Sequence, residues 1–450
     1  MEMGDMILVS VDDHVVEPPS MADFMREHLP QKYKDRAPRV IRRDDGADAW
    51  LIEGKEVTTF GLNAVMGRVP EEWGYDPGTF EQVRPGNYDV HERIRDMNAN
   101  GVLASMNFSS WPGMSGQFFL QSNDTEFAGA LVRAYNDWTI HEWCAAYPGR
   151  FIPLALSGCA LGPEWMAEEI HRVAKLGCHA ISMDSNAHIA GLPDFHGDEW
   201  DPAWQACQDA NSTMVFHFGG VLQRMPRSPF DVIPHSMPFC SATFASELLW
   251  SPVMRRFPNV KVGLAETGIG WYAYWLEKAD FVYKHHRAWT GMDFGDKLPS
   301  EAFKDRVLVC FIEDNTGLKL RHETGVDGLA WECDYPHSDS TWPRSPEILW
   351  DSLQQAQVSE EETHKITWEN ACKFYEWDPF QSVPKEQANV ASLRALATDV
   401  DTTPKRYGPP PNEEAIAAVR SGMPVKPPTI DDQRVARQAP ATHQHPTANA

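Results

Sequence analysis

Asp12 and His14 stand two residues apart at the end of the apolar run 6–11. Alternate side chains of a strand share a face, so these two can point to one place while Asp13 points away. An acid and an imidazole delivered together to a sheet edge form half of a metal site, provided distant segments supply partners. Three later runs repeat the pattern. His217 ends 214–216 and precedes Phe218-Gly219-Gly220; Glu266 ends 260–265 and precedes Thr267-Gly268; Asp334 ends 328–333 and precedes Tyr335-Pro336-His337. Taken singly, each has an ordinary explanation: His217 bonded to a carbonyl, Asp12 or Asp334 capping a strand end or turn, Glu266 paired with Lys284 or Arg287. An unpaired ionisable group buried at a strand end costs several kcal/mol. One divalent cation shared by all of them offsets that cost and accounts for the repetition.

The elements that must carry these groups follow from alternation. Strands are expected near 6–12, 102–108, 151–156, 179–183, 213–217, 260–265, 307–311 and 328–332. Helices are expected at 125–147, 163–176, 201–210, 242–256, 270–288 and 346–357. Strands alternating with helices imply parallel pairing with right-handed crossovers, and eight such units close into a TIM-like (β/α)8 barrel. Active groups of that fold emerge at the carboxyl ends of strands. Residues 35–90 break the rhythm and are expected to insert a β-hairpin turning at Asp44-Asp45-Gly46. The expected division is a barrel over 1–380, an extension over 381–424 and a disordered tail over 425–450, where His443 and His445 sit.

A net charge of −24 over 450 residues argues against nucleic acid and anionic membrane surfaces, whose recognition needs clustered Lys and Arg. It does not argue against an anionic substrate, because a bound cation reverses the local field. No apolar run approaches the ~20 residues that span a bilayer. The acidic start lacks a secretory signal, and none of the eight cysteines forms a C-x-x-C pair. A cytoplasmic protein with free thiols is expected.

The strings SVDDHVVEPP, VFHFGG, LAETGIGWYAYWLEKADF and WECDYPHSDSTWP resemble the amidohydrolase-related branch of the amidohydrolase superfamily, which includes aminocarboxymuconate semialdehyde decarboxylases. YNDWTIHEW, GLPDFHGDEWDPAW and ITWENACKFYEWD extend the resemblance over about 6–380. It implies a metal-dependent barrel with Asp12, His14, His217 and Asp334 as ligands to Zn, Mn or Fe, one or two ions per chain. It also implies a small-molecule substrate and a homodimer or related oligomer. Two departures matter. Many relatives begin with His-x-His where this chain has Asp-x-His, and the decarboxylases' catalytic histidine after the sixth strand falls here on Glu266.

Glu266 and Asp334 are thus the candidate catalytic residues. Glu266 acts as a general base or as ligand to a second ion, and a carboxyl group donates a proton only if its pKa is raised. Glu17, three residues past His14, is a further candidate ligand. His188, Arg224 and His337 are candidates for substrate binding, with Arg224 suited to a carboxylate. Trp111 and Trp342 are placed at the rim, and His285 and His286 are further candidate ligands whose ordinary place is a helix surface or behind the ligands. Three functions remain open at this point. The first is hydrolysis or non-oxidative decarboxylation of a small, carboxylate-bearing compound. The others are a dinuclear Fe or Mn monooxygenase using Glu17 and Glu266, and a non-catalytic partner subunit.

Overall fold

The structure, a computed structural model, describes residues 1–217, 228–406 and 417. Nine parallel strand segments build the central sheet: β1 (Val9–Val15), β5 (Ala104–Ser109), β6 (Phe151–Ile152), β7 (Leu154–Leu156), β8 (Ala180–Met183), β9 (Thr213–His217), β10 (Lys261–Ala265), β11 (Val307–Phe311) and β12 (Leu329–Trp331). Between β1 and β5 lie β2 (Arg39–Arg42), β3 (Asp48–Ile52) and β4 (Lys55–Val57), which form a separate antiparallel sheet.

The parallel ladder runs β1-β5-β6, then β7-β8-β9-β10-β11-β12. β6 and β7 are two halves of one run, divided at Pro153, which has no N–H for the ladder. The last strand meets the first through Asp334 N–H donating to the Asp12 carbonyl (2.8 Å) and Cys333 N–H to Ser10 Oγ (2.7 Å). Eight strand positions therefore surround one axis, the (β/α)8 arrangement.

Two apolar layers follow from strand alternation. The inner one includes Val9, Val11, Met106, Phe108, Val215, Leu308 and Ala330, and is plugged from below by Trp368, Tyr375 and Leu393. The outer layer joins strands to helices and takes in the intervening residues, among them Met214, Phe216, Val262 and Leu264. The plug packs tightly: a Cβ on Gly263 of β10 would lie 2.8 Å from Tyr375 Oη.

The first-strand expectation of 6–12 shifts to Val9–Val15, so Asp12 and His14 lie within β1 rather than beyond it. A helix that the sequence reading did not propose, Val90–Asn100, follows the insertion. Asp89 caps it, its side chain accepting from His91 and Glu92 N–H, an arrangement worth about 1 kcal/mol. The inserted sheet packs over the loop after β5, where Trp50 stacks on Trp111 (4.6 Å between centroids, 16°). Trp111 is thereby fully buried rather than at a rim, and Trp342 is buried with its indole N–H on the Asp96 carbonyl. Residues 381–406 return to the start of the chain, Val390 N–H donating to the Met6 carbonyl. The tail 425–450, with His443 and His445, lies outside the described residues. All eight cysteines are free thiols. No helix among the described residues is long and apolar enough to cross a membrane.

Candidate metal centre

Six side chains from the ends of four strands, β1, β9, β10 and β12, meet at the carboxyl face of the barrel. Asp12, His14, His217 and Glu266 offer ligand atoms all within 4.8 Å of one another, and so do His14, Glu266, Asp334 and His337. His14 Nε2 lies 3.5 Å from Asp12 Oδ1 and from Asp334 Oδ1, and 3.1 Å from His217 Nε2. His217 Nε2 in turn lies 3.5 Å from Asp12 Oδ2 and 3.1 Å from Glu266 Oε2. Phe108 packs edge-on to the His217 ring at 4.9 Å and holds it from behind.

Backbone conformation helps to aim the set. Glu266 and Asp334 have φ of 54° and 57°, left-handed values that cost a non-glycine residue roughly 1–2 kcal/mol. Each therefore breaks its strand at once and turns its carboxylate across the barrel mouth. Strain of this kind concentrates where geometry serves function.

Burial sets the protonation states. It pushes Asp12, Glu266 and Asp334 well above the usual carboxylate range, and mutual repulsion, with Glu332 contributing to all three, adds to that rise. It lowers His14 well below the usual imidazole value, His217 to about 3 and His337 to about 4. The imidazoles are therefore neutral at physiological pH, the form that binds a metal.

A divalent cation fits this donor set. Both oxygens of Asp12 and Asp334, and Glu266 Oε2, are buried with no donor in hydrogen-bonding geometry among the described residues. Donors 3.1–3.5 Å apart can share an ion bound at about 2.0–2.2 Å. Mixed imidazole and carboxylate ligation with room for another ligand suits Zn, Mn or Fe.

Exposure separates the six by position. The side chains of Asp12, His14, His217 and Asp334 are 0–2% exposed, whereas those of Glu266 and His337 are each 12% exposed. The first four are enclosed; the last two border the open side. His337 stacks on His14 (3.8 Å, 25°) with Nδ1 2.9 Å from Asp334 Oδ1.

Other expected site residues fall elsewhere. Glu17 does not join the cluster: its carboxylate accepts from Ser110 N–H (3.0 Å), Trp111 N–H (3.2 Å) and Tyr135 Oη–H (2.8 Å), which ties down the loop after β5. His188 is exposed on the turn Ala187–Ala190, and Arg224 lies outside the described residues. His285 is on a helix surface, bonded to the Phe281 carbonyl.

Three buried residues support the site in ways the sequence reading did not propose. Glu332 accepts the Glu266 N–H (3.1 Å) and so supports its left-handed backbone. Asp13 accepts from Ser10 Oγ and Tyr335 N–H. Arg93 donates to the carbonyls of His14, Gly86 and Asn87. A charge inside an apolar run was the signal for Glu332, since burying a charge demands a reason; Asp13 follows the first run and Arg93 sits in a polar stretch, and neither carried such a signal.

The amidohydrolase family model matches residues 83–377, a span that includes His217, Glu266 and Asp334 but begins after Asp12 and His14. No curated protein sequence gives a significant match. Among solved structures, 5-carboxyvanillate decarboxylase from Sphingomonas paucimobilis is 21% identical, with TM-score 0.56 over 83% of this chain and 100% of that one. 2,6-Dihydroxybenzoate decarboxylase from Rhizobium is 16% identical, with TM-score 0.53 over 82% and 99%. Dihydroxybenzoic acid decarboxylase from Polaromonas sp. JS666, solved with manganese and the inhibitor 2-nitroresorcinol, is 18% identical, with TM-score 0.54 over 84% and 99%. The shared fold is the TIM barrel. The chain belongs to the amidohydrolase family and shares its fold with these decarboxylases.

Proposed function

We propose that this protein removes a carboxyl group, without oxidation, from a small aromatic carboxylic acid. Asp12, His14, His217 and Asp334 hold one divalent cation, and Glu266 is the proton donor. The observation that carries this reading is the split in exposure: four enclosed ligand-type side chains, with Glu266 beside them on the open side. The solved relatives that decarboxylate hydroxybenzoates supply the substrate class.

When bound, the cation supplies positive charge for the substrate's carboxylate and offsets the surrounding acids. Glu266 does the chain's own chemistry. Burial and the neighbouring acids raise its pKa, the direction in which a carboxyl group can hold a proton and give it up, which answers the objection to a carboxyl group in the histidine's place. The bond from ring carbon to carboxylate breaks, its electron pair stays on the ring carbon, and carbon dioxide leaves. The Glu266 proton moves to that carbon, and water reprotonates Glu266. The Glu332 contact on Glu266 N–H fixes the donor's backbone. His337, stacked on His14 at the same opening, is placed to border the substrate.

Hydrolysis is the second reading. It is favoured by the left-handed turn that brings Glu266 Oε2 to 3.1 Å from His217 Nε2: ionised there, Glu266 would take a proton from water attacking an amide or ester carbonyl. The monooxygenase reading loses support because Glu17, its added ligand, is committed to the loop after β5. Anaerobic incubation of metal-replete protein with a panel of hydroxybenzoates tests the proposal. Release of carbon dioxide that disappears in Glu266→Gln is expected. Turnover that requires dioxygen, or amide and ester cleavage without carbon dioxide release, would overturn it.

A further inference from the structure

The strand positions share the barrel mouth unequally. β1, β9, β10 and β12 bring the ligand-type groups, which leaves the sector after β5, β7 and β8 for the body of a substrate. Asp184 stands in that sector, directly after β8. Ser182 pairs with Val215 and Met183 with Phe216, so the next residue along sets Asp184 at the height of His217. Strand alternation turns it inward, because Ile181 and Met183 belong to the outer layer and Ala180 to the inner one. Ser182, on the same inward face one step below, keeps a buried hydroxyl with no partner among the described residues.

Asp184 is held in place but not saturated. Gln117, on the loop after β5, donates from Nε2 to Asp184 Oδ2 (3.3 Å), and Asn186 N–H donates to Oδ1 (2.8 Å). Ser115 N–H on Gln117 Oε1 (3.0 Å) decides which end of that amide faces Asp184. Gly113 makes room for the arrangement, since a Cβ there would lie 2.3 Å from Gln117 Oε1. A carboxylate accepts about four bonds, so these two uncharged donors leave roughly half of its capacity open. The side chain is half-buried at the mouth and belongs to neither ligand group of the metal centre.

We infer that Asp184 selects the substrate, accepting a hydrogen bond from a hydroxyl group on the ring at a position away from the carboxyl group. The inference rests on the decarboxylase reading above. Neighbouring strands lie ~4.8 Å apart, so a ring whose carboxylate sits beside His217 passes Asp184. A carboxylate held only by uncharged donors also repels the substrate's own carboxylate. That repulsion turns the carboxyl group toward the metal centre and the ring hydroxyl toward Asp184.

Calorimetry of the metal-replete full chain tests this with 3-hydroxybenzoate and 4-hydroxybenzoate, each beside its methyl ether, which keeps ring and carboxylate and loses the donor. For at least one pair the wild type is expected to bind the hydroxy acid about tenfold or more tightly than the ether, the usual worth of a hydrogen bond to a charged group. Asp184→Ala should erase that preference at unchanged metal content. Asp184→Asn, which keeps an acceptor oxygen, should retain part of it, and Gln117→Ala should reduce it. A wild type that binds neither acid or binds each pair alike, or a preference that survives in Asp184→Ala, would overturn the inference. Binding is read apart from turnover: acids bound with this preference yet never decarboxylated would overturn the decarboxylase reading and leave Asp184 its role.

Discussion

Glu266 concentrates the chemistry at the scale of single residues. It is left-handed, buried except toward the opening, and held by Glu332 through its own N–H. Glu266→Gln keeps the shape and removes the transferable proton. Turnover should fall about 10²–10⁴-fold, the usual worth of a general acid, with metal content unchanged. Glu17 makes the contrasting case. Burial raises it to about 7 from an ordinary 4.5. Between those values the folded chain holds a proton that the unfolded chain has released, so stability falls as pH rises through the window. Glu17→Gln removes this dependence, so its cost measured by urea unfolding should shrink from the acidic to the alkaline side of the window. Its metal content should match wild type; loss of metal would return Glu17 to the site.

Residues at this scale were legible in proportion to their contrast. His217, Glu266 and Asp334 each end an apolar run, and the barrel rule says what a strand end is for. Glu332 lies inside such a run, and Glu17 after the first one; sequence spacing does not reveal that the peptide N–H groups of Ser110 and Trp111 claim the Glu17 carboxylate.

Among elements, the seam between β12 and β1 decides the site's shape, because Asp12 and His14 come from one side and Asp334 from the other. A buried clamp lies across it. Asp96 accepts two bonds from Arg84 and one from Tyr335 Oη, while Tyr335 receives His14 N–H on its carbonyl and gives its own N–H to Asp13. Arg93, 4.6 Å over the Tyr335 ring, donates to the His14 carbonyl. Asp96→Ala removes the buried carboxylate that the Arg84 guanidinium and the Tyr335 phenol share. It should destabilise the protein by about 3–5 kcal/mol in urea and weaken metal binding, because Tyr335 adjoins Asp334. Unchanged metal affinity in the folded variant would separate the clamp from the site. The clamp was illegible because it joins residues more than two hundred apart by polar bonds that leave no periodic mark. The later helices, by contrast, were legible from amphipathic spacing, Pro163–Ala174 and Ser345–Gln355 among them. The helix Val90–Asn100 was lost by counting its Asp89 cap within the insertion.

At the scale of the molecule, a cation and the fold are linked. Asp12, Glu266, Asp334 and Glu332 repel one another at one end of a buried barrel, and protons or a bound cation relieve that repulsion. Binding to the folded state alone stabilises it, by about 2.7 kcal/mol at a hundredfold excess over Kd. Chelation should therefore lower Tm and repletion restore it. The same linkage makes metal affinity fall as pH drops, since protons compete for the carboxylates; calorimetry in buffers of different ionisation enthalpy should show proton release on binding. The barrel itself was legible from alternation and length. The exposure of Tyr274, Phe281 and Trp289 on the helix Tyr272–Thr290 was not, because only packing tells which rings of an aromatic-rich helix stay outside.

The central claim is that Asp12, His14, His217 and Asp334 together hold one divalent cation. Metal analysis of protein purified without added metal, wild type beside Asp334→Asn and Asp12→Asn, measures it directly. The account predicts one equivalent in the wild type and loss of metal in both variants with the fold retained. A wild type that holds no metal even after repletion, one that holds two equivalents, or variants that keep a full complement would contradict it.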